Sequence, residues 1–320
     1  MRDTDYAFCV ARIRAKETGL LTADFINKLV EAEGYDGAVR YLADIGWIDS
    51  EDKDFIRKQS NDLWLLLNEC VPDKAVLNYL CILNDYFNIK TAIKCIISGN
   101  DPDFYYSEPT TLDLEKLYNS INSRSFEVFK NEKMLETAKK AFEVACITNN
   151  GQSAEMIIDV AALEFLLDTS NKSRYNTFAK ICSFIVDTSN IRTAIRCAVL
   201  GKDSDFIKSA TSECVKISKD KLISEAVAGC DRLREYLSNT EYADGAELYF
   251  SNPALFDKWC DEKTLEIATQ SGFTAFGFDP VCSYFYRKNN EIKTVKMILS
   301  AKKSGIPVDL LRERVKTAYA

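Results

Sequence analysis

Apolar residues recur along this chain at the three- and four-residue spacing of amphipathic helices, and no segment sustains the strict alternation of a half-buried strand. The pattern predicts a first helix over residues 6–17, with Gly19 just past its end, and a second capped by Thr22 that carries Phe25, Ile26 and Leu29 on one face. A short helix follows over residues 36–42. A longer one, capped by Ser50, runs through Phe55, Ile56, Leu63 and Leu67 to about Cys70. Pro72 opens a long helix that ends at Gly99. Further helices are expected over residues 131–148, from a cap at Ser153, and from a cap at Ser173 to Gly201. The last part predicts helices over 219–228, 231–237 and 244–250, one starting at Asn252 and Pro253, and a break over 272–279. A long helix from Pro280 to Lys303 and a short one over 308–319 complete the chain. The fold class is all-α.

One stretch returns. Asp85, Asn88, Ile89, Thr91, Ala92, Ile93, Cys95 and Gly99 come back as Asp187, Asn190, Ile191, Thr193, Ala194, Ile195, Cys197 and Gly201, with Lys90 and Lys94 replaced by Arg192 and Arg196. A weaker third copy begins at Glu291 and places Thr294, Val295, Lys296, Ile298 and Leu299 at the corresponding positions. The copies lie 102 and 104 residues apart, a period that divides the chain into three related helical modules: 1–108, 109–212 and 213–320. The connections at 100–111 and after Gly201, where residues 202–205 break the apolar pattern, are the expected boundaries. Residues 244–250 also echo residues 36–42.

Composition narrows what such a chain does. Hydrophobic residues make up 47% of it, enough to build cores, while 12 Gly and 6 Pro are too few to punctuate a many-stranded β protein. The formal net charge of −7 argues against general nucleic-acid binding, which needs concentrated Lys and Arg. No apolar run reaches the length of a membrane span, and no secretory leader follows Met1. Histidine is absent and the 11 cysteines are scattered without a Cys-x-x-Cys pair, so zinc sites of the usual kind lack their ligands. Cys81, Cys95, Cys182 and Cys197 fall inside apolar helical patterns and read as small buried hydrophobes of a reducing compartment. No phosphate loop, dinucleotide fingerprint or catalytic triad is present, so no cofactor, metal or catalytic residue is assigned.

The repeat itself carries the candidate chemistry. On a helical wheel Asp85 shares a face with Ile89, Ala92 and Ile96, Asp187 with Ile191, Ala194 and Ala198, and Glu291 with Val295, Ile298 and Lys302. Each copy therefore puts an acid in an apolar stripe, where an unpaired charge is costly. Two readings stand: an arginine or helix N-terminus of the same module ties each acid down, with Arg12 and Arg14 as the first module's candidates, or the three acids surround a common axis. Lys90, Arg192 and Lys296 look away from that stripe and form a candidate partner-facing ring.

Residues 278–307 place Pro280, Tyr284, Glu291, Lys296, Ile298, Lys302, Gly305 and Pro307 at intervals that resemble the C-type stalk component of bacterial and archaeal V/A-type ATPases, the counterpart of the d component in the eukaryotic enzyme. Residues 6–21, with Arg12 and Arg14, are similar to that family's opening helix, and the Asn88-Ile89-Lys90 and Asn190-Ile191-Arg192 positions match as well. Asn289 and Ala301 depart from its pattern. The resemblance implies a funnel of three pseudo-threefold modules, peripheral on the cytoplasmic face of the membrane. Its partners would be the central rotor shaft and the membrane rotor ring, between which it carries torque without catalysing anything. A general helical-repeat scaffold, or a helical enzyme with a carboxylate site, are the competing readings.

Overall fold

A computed structural model describes residues 2–48, 54–102, 105–148, 151–271 and 274–315, and every regular element among them is helical. A 3-10 turn at Asp3–Tyr6 leads into α1 (Ala7–Glu17), α2 (Ala23–Glu31), α3 (Gly34–Asp44), α4 (Phe55–Cys70) and α5 (Lys74–Ser98). Then come α6 (Leu114–Asn122), α7 (Glu132–Thr148), α8 (Gly151–Lys172), α9 (Asn176–Val199), α10 (Ser204–Ala210), α11 (Lys219–Ala228) and α12 (Cys230–Leu237). The chain closes with α13 (Ala243–Ser251), α14 (Pro253–Ser271), α15 (Asp279–Lys303) and α16 (Val308–Arg314).

Local chemistry sets most boundaries where the sequence placed them. Thr22 accepts a hydrogen bond from the Phe25 amide at 3.3 Å, and the Asn252 side chain accepts from Ala254 at 3.0 Å at the start of α14. Several expectations need correction. Ser153 lies inside the first turn of α8, and Ser173 directly follows the end of α8, three residues before α9 begins. α5 begins at Lys74, two residues after Pro72. The stretch expected to break the pattern after Gly201 holds a helix, α10, whose first turn is capped by Asp203 accepting from Phe206 at 2.8 Å. α6, capped by Asp113, is an element the apolar pattern does not predict. Ser50, expected to cap α4, lies outside the described residues, as do residues 316–319 of the expected terminal helix.

The three repeat helices α5, α9 and α15 end alike. Gly99, Gly201 and Gly305 take φ of 72°, 61° and 67°, and the amide of the residue after each donates to Cys95, Cys197 and Ala301 at 3.0 Å. This is a Schellman turn, which needs the left-handed backbone that glycine adopts without a Cβ penalty.

Contacts divide the chain into two units. One comprises Met1–Asp73, Tyr175–Ile181 and Glu247–Ala320. Its core packs α15, through Val295, Ile298 and Leu299, against Ile26 and Leu29 of α2 and Leu42 of α3. A second aromatic knot joins Tyr6, Tyr175 and Phe278, with the two tyrosine hydroxyls 3.2 Å apart. Lys302 points inward here: its Nζ donates to the carbonyls of Val30, at 2.9 Å, and Ala32, satisfying the end of α2. Burial holds its ammonium below the ordinary lysine value.

The other unit comprises Lys74–Arg174 and Cys182–Ala246. Here α5 packs on α6, α7 and α8, with Tyr86 against Phe165 at 5.9 Å between ring centres. Ile89 and Ala92 of α5 and Ile191 and Ala194 of α9 are buried, as the wheel requires, while Ile96 and Ala198 at the far end of each stripe are half-buried.

Lys302→Met keeps the apolar stem of the side chain and removes its two hydrogen bonds. It should lower the free energy of unfolding in urea by about 1–3 kcal/mol, the cost of leaving a buried carbonyl without a donor. An unchanged transition midpoint would show that the α2 carbonyls need no such donor.

Candidate functional site

The three acids of the repeat are all buried, with 1%, 0% and 0% of the Asp85, Asp187 and Glu291 surfaces exposed. None is tied by the arginines considered from sequence. Arg12 pairs with Glu69 at 2.9 Å, and Arg14 with Glu17 at 2.8 Å. Most donors come instead from connecting segments, and Lys288 of α15 itself adds one. Asp85 accepts from the Thr111 amide at 2.8 Å, from the Thr111 hydroxyl at 2.6 Å and from the Thr110 hydroxyl. Asp187 accepts from the amides of Val215 and Lys216 at 2.7 and 2.8 Å and from the Tyr242 hydroxyl at 2.8 Å. Glu291 accepts from the Leu21 amide at 2.6 Å, from Trp47 Nε1 at 2.7 Å and from Lys288 Nζ.

The asparagine one turn further on completes the clasp in two copies. Asn88 Oδ1 accepts from the Ser107 amide at 2.7 Å while its Nδ2 donates to the Ser107 carbonyl at 2.9 Å. Asn190 does the same to Ser212, at 3.0 and 3.3 Å. An asparagine offers a donor and an acceptor side by side, so it satisfies both backbone groups of one residue. Acid and amide together moor the connecting segment to the long helix. In the third copy Thr294 stands where the asparagine was, and Glu291, one methylene longer than aspartate, reaches the amino-terminal segment at Leu21 and Trp47.

Electrostatics differ among the three. Burial raises the Asp85 carboxyl above its ordinary 3.8, although the two threonine hydroxyls and the Thr111 amide pull it back down. Burial, followed by the Asp187 charge, raises the Tyr242 hydroxyl, which stays a donor. Glu291 alone of the three has a cation on it among the described residues: Lys288, whose Nζ also sits 5.2 Å from the Trp47 ring centre.

The basic positions meet different fates. Lys90 donates to Asp159 at 2.6 Å and Lys94 pairs with Glu155 at 2.9 Å, a two-rung ladder between α5 and α8. Arg192 is half-buried on α9. Lys296 is exposed on α15 in line with Lys293 and Lys303, and no ion pair is seen at these three among the described residues. Lys90 and Arg192 belong to one contact unit, Lys296 to the other.

A surface groove of about 530 Å³ lies beside the Glu291 clasp, lined by Arg12, Leu65, Glu69, Trp47, Tyr284 and Lys288. Burial, then the Glu291 and Glu17 charges, push the Tyr284 hydroxyl up to about 12, so it is neutral near pH 7. No group of three acidic or cysteine side chains suited to a metal ion occurs among the described residues, and none of their helices is long and apolar enough to cross a membrane.

An all-helical chain whose long helices clasp connecting segments through buried carboxylates is a moored helical framework. Its lineage is specific: the family of the ATP synthase (C/AC39) subunit matches residues 9–314, and the chain belongs to that family. It is similar to the C-type subunit of the V-type sodium ATPase of Enterococcus hirae, 20% identical over 96% of this chain and 97% of the relative. The corresponding C-type subunit of the A-type ATP synthase of Methanocaldococcus jannaschii is 23% identical over 96% of this chain and 85% of its own length. That of Haloferax volcanii is 24% identical over 95% of both.

Because the Asp85 carboxyl is raised, the folded chain holds its proton more tightly than the unfolded chain does. Stability from this group is therefore full below pH 3.8 and falls as pH rises through the folded value. Asp85→Asn removes that loss, so its stability relative to the parent chain should improve as pH rises through the window. Urea melts of both proteins between pH 4 and 8 read the difference; a constant difference across that range would contradict it.

Proposed function

We propose that this chain is a non-catalytic central-stalk subunit of a V/A-type rotary ATPase, a socket that couples the central rotor shaft to the membrane rotor ring. In this reading it sits peripherally on the inner face of the membrane. Its three modules, 1–108, 109–212 and 213–320, are arranged as a pseudo-threefold funnel. The family match over residues 9–314 carries the proposal. The relatives' names add that such subunits occur both in a sodium ATPase and in ATP synthases.

The buried clasps give the role a physical basis. A part that transmits torque loses work to any segment that yields under load. Here the segments following α5 and α9 are held to those helices by hydrogen bonds to a carboxylate, which are about twice as strong as neutral ones. The competing scaffold reading is disfavoured by the period of about a hundred residues, since solenoid repeats run ~20–50.

Of the candidate ring, Lys296 is the position best placed to meet a partner: with Lys293 and Lys303 it forms an exposed basic line in a chain of net charge −7. Lys90 is already paired with Asp159. Arg192 remains a candidate contact of the second repeat copy.

Co-purification with shaft subunits and the rotor ring of the same organism tests the assignment. The full chain should capture one or both. Lys293→Glu combined with Lys296→Glu should weaken capture roughly 3–10-fold, more at low salt, with the folded state unchanged. Lys90→Glu should instead lower stability. A folded chain that binds neither shaft nor ring would overturn the proposal.

A further inference from the structure

We infer that Cys9 and Cys70 are a modification site: a thiol pair that closes to a disulfide when a low-molecular-weight disulfide is present. Cys9 lies in the first turn of α1 and Cys70 is the last residue of α4. Their Sγ atoms are 2.7 Å apart, inside the contact distance of two non-bonded sulfurs and ~0.7 Å beyond a disulfide bond. An independent contact holds the same two helices in register. The Arg12 guanidinium, one turn along α1 from Cys9, pairs with Glu69, the residue before Cys70, at 2.9 Å. The sulfurs therefore meet through the packing of α1 on α4.

Exposure orders the chemistry. Cys9 is 1% exposed and Cys70 is 6% exposed at a helix end, so the incoming disulfide meets Cys70 first. With glutathione disulfide as oxidant, the Cys70 thiolate attacks one sulfur and breaks its S–S bond, giving a mixed disulfide. The departing glutathione thiolate takes up the proton that Cys70 gave up. Cys9 then attacks the Cys70 sulfur, forming the Cys9–Cys70 bond and releasing the second glutathione with the Cys9 proton. The chain loses two protons and two electrons, and one glutathione disulfide becomes two thiols.

The bond would join residues 61 positions apart, closing a loop that contains α2 and α3. It would also fix the wall where Arg12, Leu66 and Glu69 line the groove beside Trp47 and Lys288. The modification makes that face stiffer when the surroundings turn oxidising, and thioredoxin-type reductants reverse it. It does not depend on the rotor assignment.

The test treats the full, folded chain with glutathione disulfide, blocks remaining thiols with N-ethylmaleimide, digests it and maps the products by mass spectrometry. The expected result is a peptide pair linked through Cys9 and Cys70, faster migration on a non-reducing gel, and a melting temperature raised by several degrees. Exposed Cys146 reports that the oxidant was active, through its glutathione adduct. Cys70→Ser should abolish the linked pair and leave the Cys146 adduct in place. Since the crosslink is mapped in the unsubstituted chain, a folding defect in that variant leaves the assay decisive. Recovery of Cys9 and Cys70 as thiols, or linked to other cysteines, while Cys146 carries glutathione would overturn the inference. No partner subunit is needed, so that outcome would leave the proposed coupling role untouched.

Discussion

A carboxylate removed from water must be given back the hydrogen bonds it has lost, and in this chain three such losses are made good by backbone amides and side chains that lie mostly outside the acid's own helix. Asp85 takes the Thr111 amide, Asp187 those of Val215 and Lys216, and Glu291 that of Leu21. Each is a mutual constraint. The acid is tolerable in the apolar stripe because the connecting segment arrives, and the segment has a fixed path because the acid is there. The asparagines at 88 and 190 and the glycine turns at 99, 201 and 305 then define where that segment leaves its helix and how it returns.

The third clasp extends this logic across the chain's length. Glu291 takes its donors from Leu21 and Trp47, 270 and 244 residues away, so α15 and the amino-terminal helices form one contact unit. Lys302 reinforces the same union by capping the end of α2. Lys288 neutralises Glu291 and at the same time faces the groove with Trp47 and Tyr284, which links the buried anchor to an accessible surface. Changes at that surface are thereby coupled to the anchor of α15.

The helices, the repeat and the burial of its acids were legible in the sequence because they rest on periodicity, which needs no knowledge of partners. The identity of the donors was not. Backbone amides and threonine hydroxyls of an irregular segment carry no spacing signature, so an arginine or a helix N-terminus was the expectation, and Arg12 and Arg14 instead pair with Glu69 and Glu17. The short helices α6 and α10 were missed although Asp113 and Asp203 cap them. An aspartate before a short mixed stretch reads equally as a turn. The wheel turned Lys90 away from the acid stripe, but only the packing of α8 on α5 reveals that Asp159 meets it there.

Backbone hydrogen exchange tests the clasp most directly. The amides of Thr111, Val215, Lys216 and Leu21 lie in connecting segments or just before a helix, where exchange is ordinarily fast; donation to a buried carboxylate should make them slow. Asp187→Ala should release Val215 and Lys216 while Thr111 and Leu21 stay protected. Exchange at all four as rapid as at neighbouring segment amides that lack a partner, or no response to Asp187→Ala, would contradict the account.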